Sequence, residues 1–345
     1  MQFVDNINPN PVSSRNAADI VLSGINTASK VSITISRNYS QLFTFTAEPY
    51  LGSVKIRLSD ILRSLRLLAF QTPPAEESAM EDAETVSITA DAAGETEPTA
   101  WTRTVFHGGY DAALYTPLMN SYWWTWRDQK CRTFLEGKEY LGAIFSSGSH
   151  IIYVDATFSD GTTDNSQLYA VSALSRTVFI VIDVSASRIA ALFPTKQLVS
   201  YTVYRQGNRY GQTYEVSPLR PQRVFVFRNS LGLFDTVYAT GRVNDGLNRD
   251  IKTFIGEDRR ENISDNDSRE RISVNSGRID TRGERTLWNE FVRSTDIWEY
   301  KDGAMRKIVL DNVDMKMTER LSASFTFEYH YSEEPAGNGF VKSAL

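Results

Sequence analysis

Over its first 70 residues the chain repeats apolar and polar positions at strand spacing and then changes to a helical spacing. "VSITIS" (31–36), "QLFTFTAE" (41–48) and "SVKIRL" (53–58) read as strands. "SDILRSLRLLAF" reads as a helix with Ser59 as its N-cap and Ile61, Leu62, Leu65 and Leu68 on one side. From 140 to 256 strand follows strand. "HIIYVDATF" runs through the turn "SDGTTDN" into "QLYAVSAL", where Asp160-Gly161 supplies the backbone angles of a tight hairpin. "TVFIVIDV" is apolar on both faces and reads as a strand covered on two sides. "SASRIAALFP" is helical until Pro194 stops it, and "QLVSYTVYRQ" and "QTYEVS" form a further hairpin. In "ERTLWNEFVRS", Leu287, Trp288, Phe291 and Val292 make one helical stripe. "SASFTFEYHYSEE" then alternates, with Ala323, Phe325, Phe327, Tyr329 and Tyr331 on one face and Ser324, Thr326, Glu328, His330 and Ser332 on the other.

Turn signals at this spacing belong to sandwiches, not to βαβ units. The expected fold is therefore all-β, mainly antiparallel β-sandwich modules with two or three short helices, in several domains. The expected divisions are an N-terminal β-rich module with one helix (1–70), an acidic linker or insertion (71–100), a central β-sandwich (101–260) and a C-terminal helix-plus-strand module (261–345). A length of 345 residues supports more than one core.

Charge refines this division. The net charge is −5, yet residues 71–102 hold eight acids and no Lys or Arg, so the remainder carries about +3. "TVSITA" (85–90) keeps a strand pattern inside the acidic stretch. The densest basic stretch, "RDIKTFIGEDRRENISDNDSRERI", is interleaved with acids, so no nucleic-acid partner is expected. The longest apolar run, "VFIVIDV", is too short to cross a bilayer as a helix, and "MQFVDNINPNPVSSRN" has no leader pattern, so a soluble protein with no membrane partner is expected.

Reactive groups are few. Three histidines (His107, His150, His330) and a single cysteine, Cys131, leave no disulfide framework within the chain and almost no ligands for zinc. No P-loop, GxGxxG or GxSxG pattern occurs. "DGTTDN" and "SDNDSRE" offer side-chain oxygens that calcium can use, but neither has EF-hand spacing and turn chemistry accounts for both. No enzyme activity, cofactor or metal is expected. The sharpest feature is "SYWWTWRD", where Tyr122, Trp123, Trp124 and Trp126 fall together. Three readings stay open for it: core packing, a subunit interface, or a platform that stacks on sugar rings.

"VFVFRNSLGLFDTVYATG" (224–241) has no solvent face until Arg228, turns at Asn229–Gly232, and resumes. Arg228 and Asp235 bracket the turn and are expected to pair across it, with Gly232 supplying a positive φ. A strand pair apolar on both faces needs two covers: the chain's own core, and either a second sheet or a neighbouring copy. This stretch, through Arg228–Gly232, Phe234–Thr236 and Thr240-Gly241, resembles tail-associated structural proteins of phages and prophages from gut bacteria, of the distal-tail or baseplate type. "ISVNSGRI", "LWNEFVRSTDIWEYKDGAMRKIVLDNVDMKM", "FTFEYHYSEE" and "IRLSDILRSL" are similar to other phrases of the same proteins. The likeness spans roughly half the chain, discontinuously, and the acidic stretch has no counterpart in it. It implies a non-enzymatic virion component assembled in the host cytoplasm, whose partners are copies of itself in a ring and other tail proteins. The alternative is a carbohydrate-binding surface module that takes a host-surface glycan on Tyr122, Trp123, Trp124 and Trp126.

Overall fold

The computed structural model describes residues 1–5, 12–13, 17–25, 30–64, 72–75, 77–82, 84–93, 97–106, 123–175, 177–207, 211–255, 261–315 and 323–332. The fold is all-β and multidomain, with three helices among the described residues and sheets that are almost wholly antiparallel. No helix among them is long and apolar enough to cross a membrane.

The N-terminal body has two sheets sharing one core. A five-stranded sheet runs in the order Val12–Ser13, Thr99–Phe106, Glu84–Ala92, Val31–Arg37, Ser40–Ala47. A three-stranded sheet is formed by Gln2–Val4, Ile20–Ser23 and Ser53–Ile56. Alternation decides which side chains meet: Val31, Ile33 and Ile35 from one sheet and Ile20, Leu22 and Ile56 from the other are buried together. The helix Leu58–Ser64 adds Leu58 and Leu62 to that core. Ser59 therefore lies inside the first turn instead of capping it, because the backbone has turned helical one residue earlier; Leu65 and Leu68 lie outside the described residues.

The acidic stretch is not a linker where it is described. Its "TVSITA" segment is the strand Glu84–Ala92, which pairs with Val31–Arg37, and Thr99–Phe106 pairs in turn with it. The N-terminal body thus reaches to residue 106, since Val86, Ile88, Ala90 and Trp101 complete its core. The strand Ser78–Asp82 leaves that body and pairs with Val178–Asp183 instead.

Val178–Asp183 is buried along its whole length, flanked by Tyr140–Phe145 and Ser78–Asp82. Against it lies a five-stranded sheet in the order Lys130–Phe134, Gln212–Ser217, Leu198–Arg205, Gly148–Phe158, Thr163–Leu174. Ile152, Val154, Tyr201, Val203 and Tyr214 share the central core with Ile180 and Ile182. Gly161, at φ 80°, and Asp160, which accepts from Thr162 N at 2.9 Å, close the expected hairpin. The helix Ala186–Ala191 ends before Pro194. His330, on the polar face of its strand, bonds through Nδ1 to Asp311 at 2.8 Å.

A boundary at 260 would cut a hairpin. Val243–Ile255 and Glu261–Asn275 pair along their length and belong to a seven-stranded sheet with Phe234–Ala239, Arg223–Arg228, Ile297–Lys301, Ala304–Asp314 and Thr326–Tyr331. The C-terminal body therefore begins near Arg223. "SDNDSRE", expected in a loop, is in the strand Glu261–Asn275 because the long hairpin continues through it. The helix Arg282–Arg293 covers one face of the sheet, and Trp288 and Phe291 pack against Phe225, Phe227 and Phe327 with ring centroids 5.3–6.0 Å apart. Phe291 meets Phe227 and Phe327 edge-to-face, a geometry that ring quadrupoles favour.

Candidate functional site

The hairpin 223–239 sits between two cores of its own chain. Phe225, Phe227, Val237 and Ala239 enter the C-terminal core, while Val226, Leu231, Leu233 and Phe234 enter the central one. The second cover is Tyr140–Phe145: Tyr140 and Phe234 have centroids 6.1 Å apart, and a Cβ on Gly142 would come within 2.7 Å of Leu233. Of the two covers the sequence left open, a second sheet or a neighbouring copy, the fold supplies the first.

The turn itself is a three-residue connection. Asn229 N donates to Leu233 O at 2.8 Å and Gly232 N to Asn229 O at 3.0 Å, and Gly232 takes φ 96° as expected. Arg228 and Asp235, however, have different partners. They sit on neighbouring cross-strand pairs, Arg228 opposite Phe234 and Asp235 opposite Phe227, so their side chains leave opposite faces of the ribbon. Arg228 lies over the Phe234 ring, with its Nε 3.6 Å from Asp296, and donates to Gly232 O. Asp235, fully buried, turns towards the segment 123–127.

That segment is irregular, not a strand, and its tryptophans point inward. Trp123 and Trp124 are buried in the central core, and Trp123 Nε1 donates to Val203 O at 3.3 Å while Trp124 N donates to Gly142 O at 2.8 Å. Rings held there have no face for a sugar, so the platform reading fails for both; core packing is what they do. Trp126 is half-buried, with its Nε1 bonded to Ser230 Oγ at 2.8 Å. Tyr122 lies outside the described residues.

Between these pieces lies a buried ion cluster. Arg127, whose side chain is 3% exposed, approaches Glu139 Oε2 at 2.9 Å and Asp235 Oδ1 at 3.9 Å, and donates to Thr236 O. Asp235 also accepts from Thr125 Oγ1, from Trp126 N at 3.2 Å and from Asn229 Nδ2 at 2.8 Å. Glu139 accepts from Tyr238 OH at 2.7 Å. One cation thus ties together the aromatic segment, the start of the strand Tyr140–Phe145 and the hairpin. Burial pushes the Glu139 carboxyl up to about 7, against the pull of Arg127 and Tyr238. Burial likewise raises Asp235, and although burial would lower Arg127, Glu139 together with the neighbouring Cys131, Tyr214 and Tyr238 outweighs it and leaves the guanidinium charged. Two acids around one cation in a dry site favour retention of a proton.

Beside the cluster a cleft of about 240 Å³ opens between the strand Lys130–Phe134, the strand Phe234–Ala239 and the start of the helix Arg282–Arg293. Cys131 lines it, but burial pushes its thiol up to about 11, so it is protonated near neutrality and a poor nucleophile. Asp128 closes one end by accepting from Thr281 Oγ1 at 3.0 Å. Thr281 and Glu284 complete a capping box there, with Glu284 N bonded to Thr281 Oγ1 at 3.0 Å. Among the described residues no group of three or more His, Cys, Asp or Glu comes together as a metal would require, and in "DGTTDN" Asp160 accepts from Thr162 while Asp164 accepts from Asn165 N and Lys196. What the cluster does is hold sheets together.

No protein-family model matches the chain, and no curated protein does.

Of the residues singled out in the sequence, the fold brings Trp126 and Asp235 to the cluster and gives Arg228 and Gly232 to the hairpin turn. Arg127, Glu139 and Tyr238 escaped notice. Their signal was an arginine straight after a tryptophan run and an aspartate inside an apolar one, since a charge in such a run must be paired when it is buried.

Glu139→Gln isolates the proton. The folded chain keeps a proton on Glu139 that the unfolded chain has released, so this stabilisation is full below pH 4.5 and is lost as the pH rises through about 7. In urea unfolding, the wild type should lose about 1–3 kcal/mol more than E139Q between those pH values. Gly232→Val should lower stability by about 1–3 kcal/mol, as a branched side chain resists φ 96°; an unchanged urea midpoint would contradict that assignment.

Proposed function

We propose that this chain is a non-enzymatic structural protein of a phage virion, a tail-tip, baseplate or tail-ring component that assembles with copies of itself and with other tail proteins. One observation carries the reading: the residues of the tail-protein-like phrase are spent on architecture. Asn229 and Asp235 clamp the segment 123–127, Gly232 shapes the turn, Arg228 covers Phe234, and Phe225 and Phe227 receive the helix. A phrase that encodes a joint between sheets suits a part that bears load and keeps its shape. Assembly in the host cytoplasm followed by residence in the tail agrees with a chain that needs no disulfide for its joints, Cys131 being free.

Peptide mass spectrometry of purified particles, with antibody labelling under the electron microscope, tests this. The chain should be present in stoichiometric amounts and the label should sit at one end of the tail. Particles that lack it, or a label on the capsid, would overturn the proposal.

A further inference from the structure

The strand Ser40–Ala47 is the outer edge of the N-terminal five-stranded sheet and is exposed along nearly its whole length. Its register sets Phe43 opposite Ile35 and Phe45 opposite Ile33, both isoleucines being wholly buried. The two phenyl rings therefore stand on the core side of the sheet, 6.4 Å apart and stacked, yet they remain 40% and 38% exposed. The apolar layer extends one strand beyond its cover. Leu42 is exposed beside them, and Tyr39 stands out at the turn that opens the strand.

Natural edges are guarded by charge, proline, a bulge or brevity. Other edges here carry charge or are covered: Thr163–Leu174 carries Asp164, Lys130–Phe134 carries Lys130 and Arg132, Val243–Ile255 carries Asp245, and the uncharged Tyr140–Phe145 is buried against the hairpin 223–239. "SQLFTFTA" has neither charge nor proline, and its one register shift, opposite Ile35 and Ser36, comes before Phe43–Ala47, which pair without interruption.

We propose that this edge is a two-fold interface, occupied by the same strand of a second copy running antiparallel to it. With Thr44 on the axis, Phe43 of each copy stands opposite Phe45 of the other on the core side. Two aromatic cross-strand pairs then close the uncovered layer, and Thr44 meets Thr44 on the outer face. Charge agrees with this occupant. The strand is neutral, so no like charges meet along it; Glu48, just beyond one end, faces Lys30 of its own chain at 3.7 Å, and Arg37 lies on the next strand inward, opposite Ser40. The two five-stranded sheets become one of ten strands. This inference rests on the edge alone and stands apart from the virion reading.

Sedimentation of the purified chain over a range of concentrations should show a monomer–dimer equilibrium. Thr44→Lys places two like charges on the axis of an exposed site and should weaken the dimer at least about tenfold, while thermal unfolding at dilutions where both proteins are monomeric changes little. In a Cys131→Ser background, Thr44→Cys should form a disulfide-linked dimer on mild oxidation, whereas Ser40→Cys, remote from its symmetry mate in this register, should not. A monomer at every concentration, a dimer indifferent to T44K, or equal crosslinking by S40C would overturn the interface. Any of these results would leave the particle measurements to decide the virion reading.

Discussion

Arg127 is the constraint on which the rest of the arrangement depends. Its guanidinium is taken out of water beside two buried carboxylates, and in so dry a place an ion that loses its partner costs several kcal/mol. The segment 123–127, Glu139 and the hairpin are thus obliged to stay together. With that joint fixed, the tryptophans fall into the central core and the hairpin is held against Tyr140–Phe145. The other face of the hairpin is then free to receive the helix Arg282–Arg293. Hydrophobic burial supplies the bulk of the stabilisation, but it does not choose among orientations; the ion cluster does, because a buried charge must lie beside its counter-charge.

The molecule's two apolar surfaces of note have different fates. The hairpin 223–239 is covered twice by its own chain, so its two-faced apolar pattern records an interior joint. The strand Ser40–Ala47, with a less conspicuous pattern, is the one left uncovered. Apolar content within a strand is therefore a poor guide to self-association. Position at a sheet edge is the better one, since an edge also offers unpaired backbone donors and acceptors.

Local signals were well preserved in the sequence. The buried Val178–Asp183, the alternation of Phe325, Phe327, Tyr329 and Tyr331, the Asp160-Gly161 turn and the stripe on Arg282–Arg293 are each fixed by neighbours a few residues away. Pairings between distant segments were not legible. Ser78–Asp82 has acidic residues and little apolar pattern, and it is a strand because Val178–Asp183 offers it an edge. Lys130–Phe134 pairs in parallel with Gln212–Ser217 across some eighty residues, which no local turn announces. Val243–Ile255 and Glu261–Asn275 are charged throughout, so the pattern suggested a boundary between two strands that pair with each other. At the cluster, Asp235 was visible but its partner was misread: cross-strand neighbours suggested Arg228, whereas the pleat sends the two side chains to opposite faces. The capping box at Thr281 and Glu284 was missed, although Thr-x-x-Glu is the spacing that signals one.

The central claim is that the cluster works as a unit, and unfolding free energies of Arg127→Met, Glu139→Gln, Asp235→Asn and their combination test it most directly. Arg127→Met leaves Glu139 and Asp235 buried without their cation, and should cost about 3–5 kcal/mol. Arg127→Met combined with Glu139→Gln and Asp235→Asn removes the charges together, and should recover a large part of that loss. If the triple variant is destabilised by the sum of its separate changes, the three groups act independently and the account of the joint is wrong.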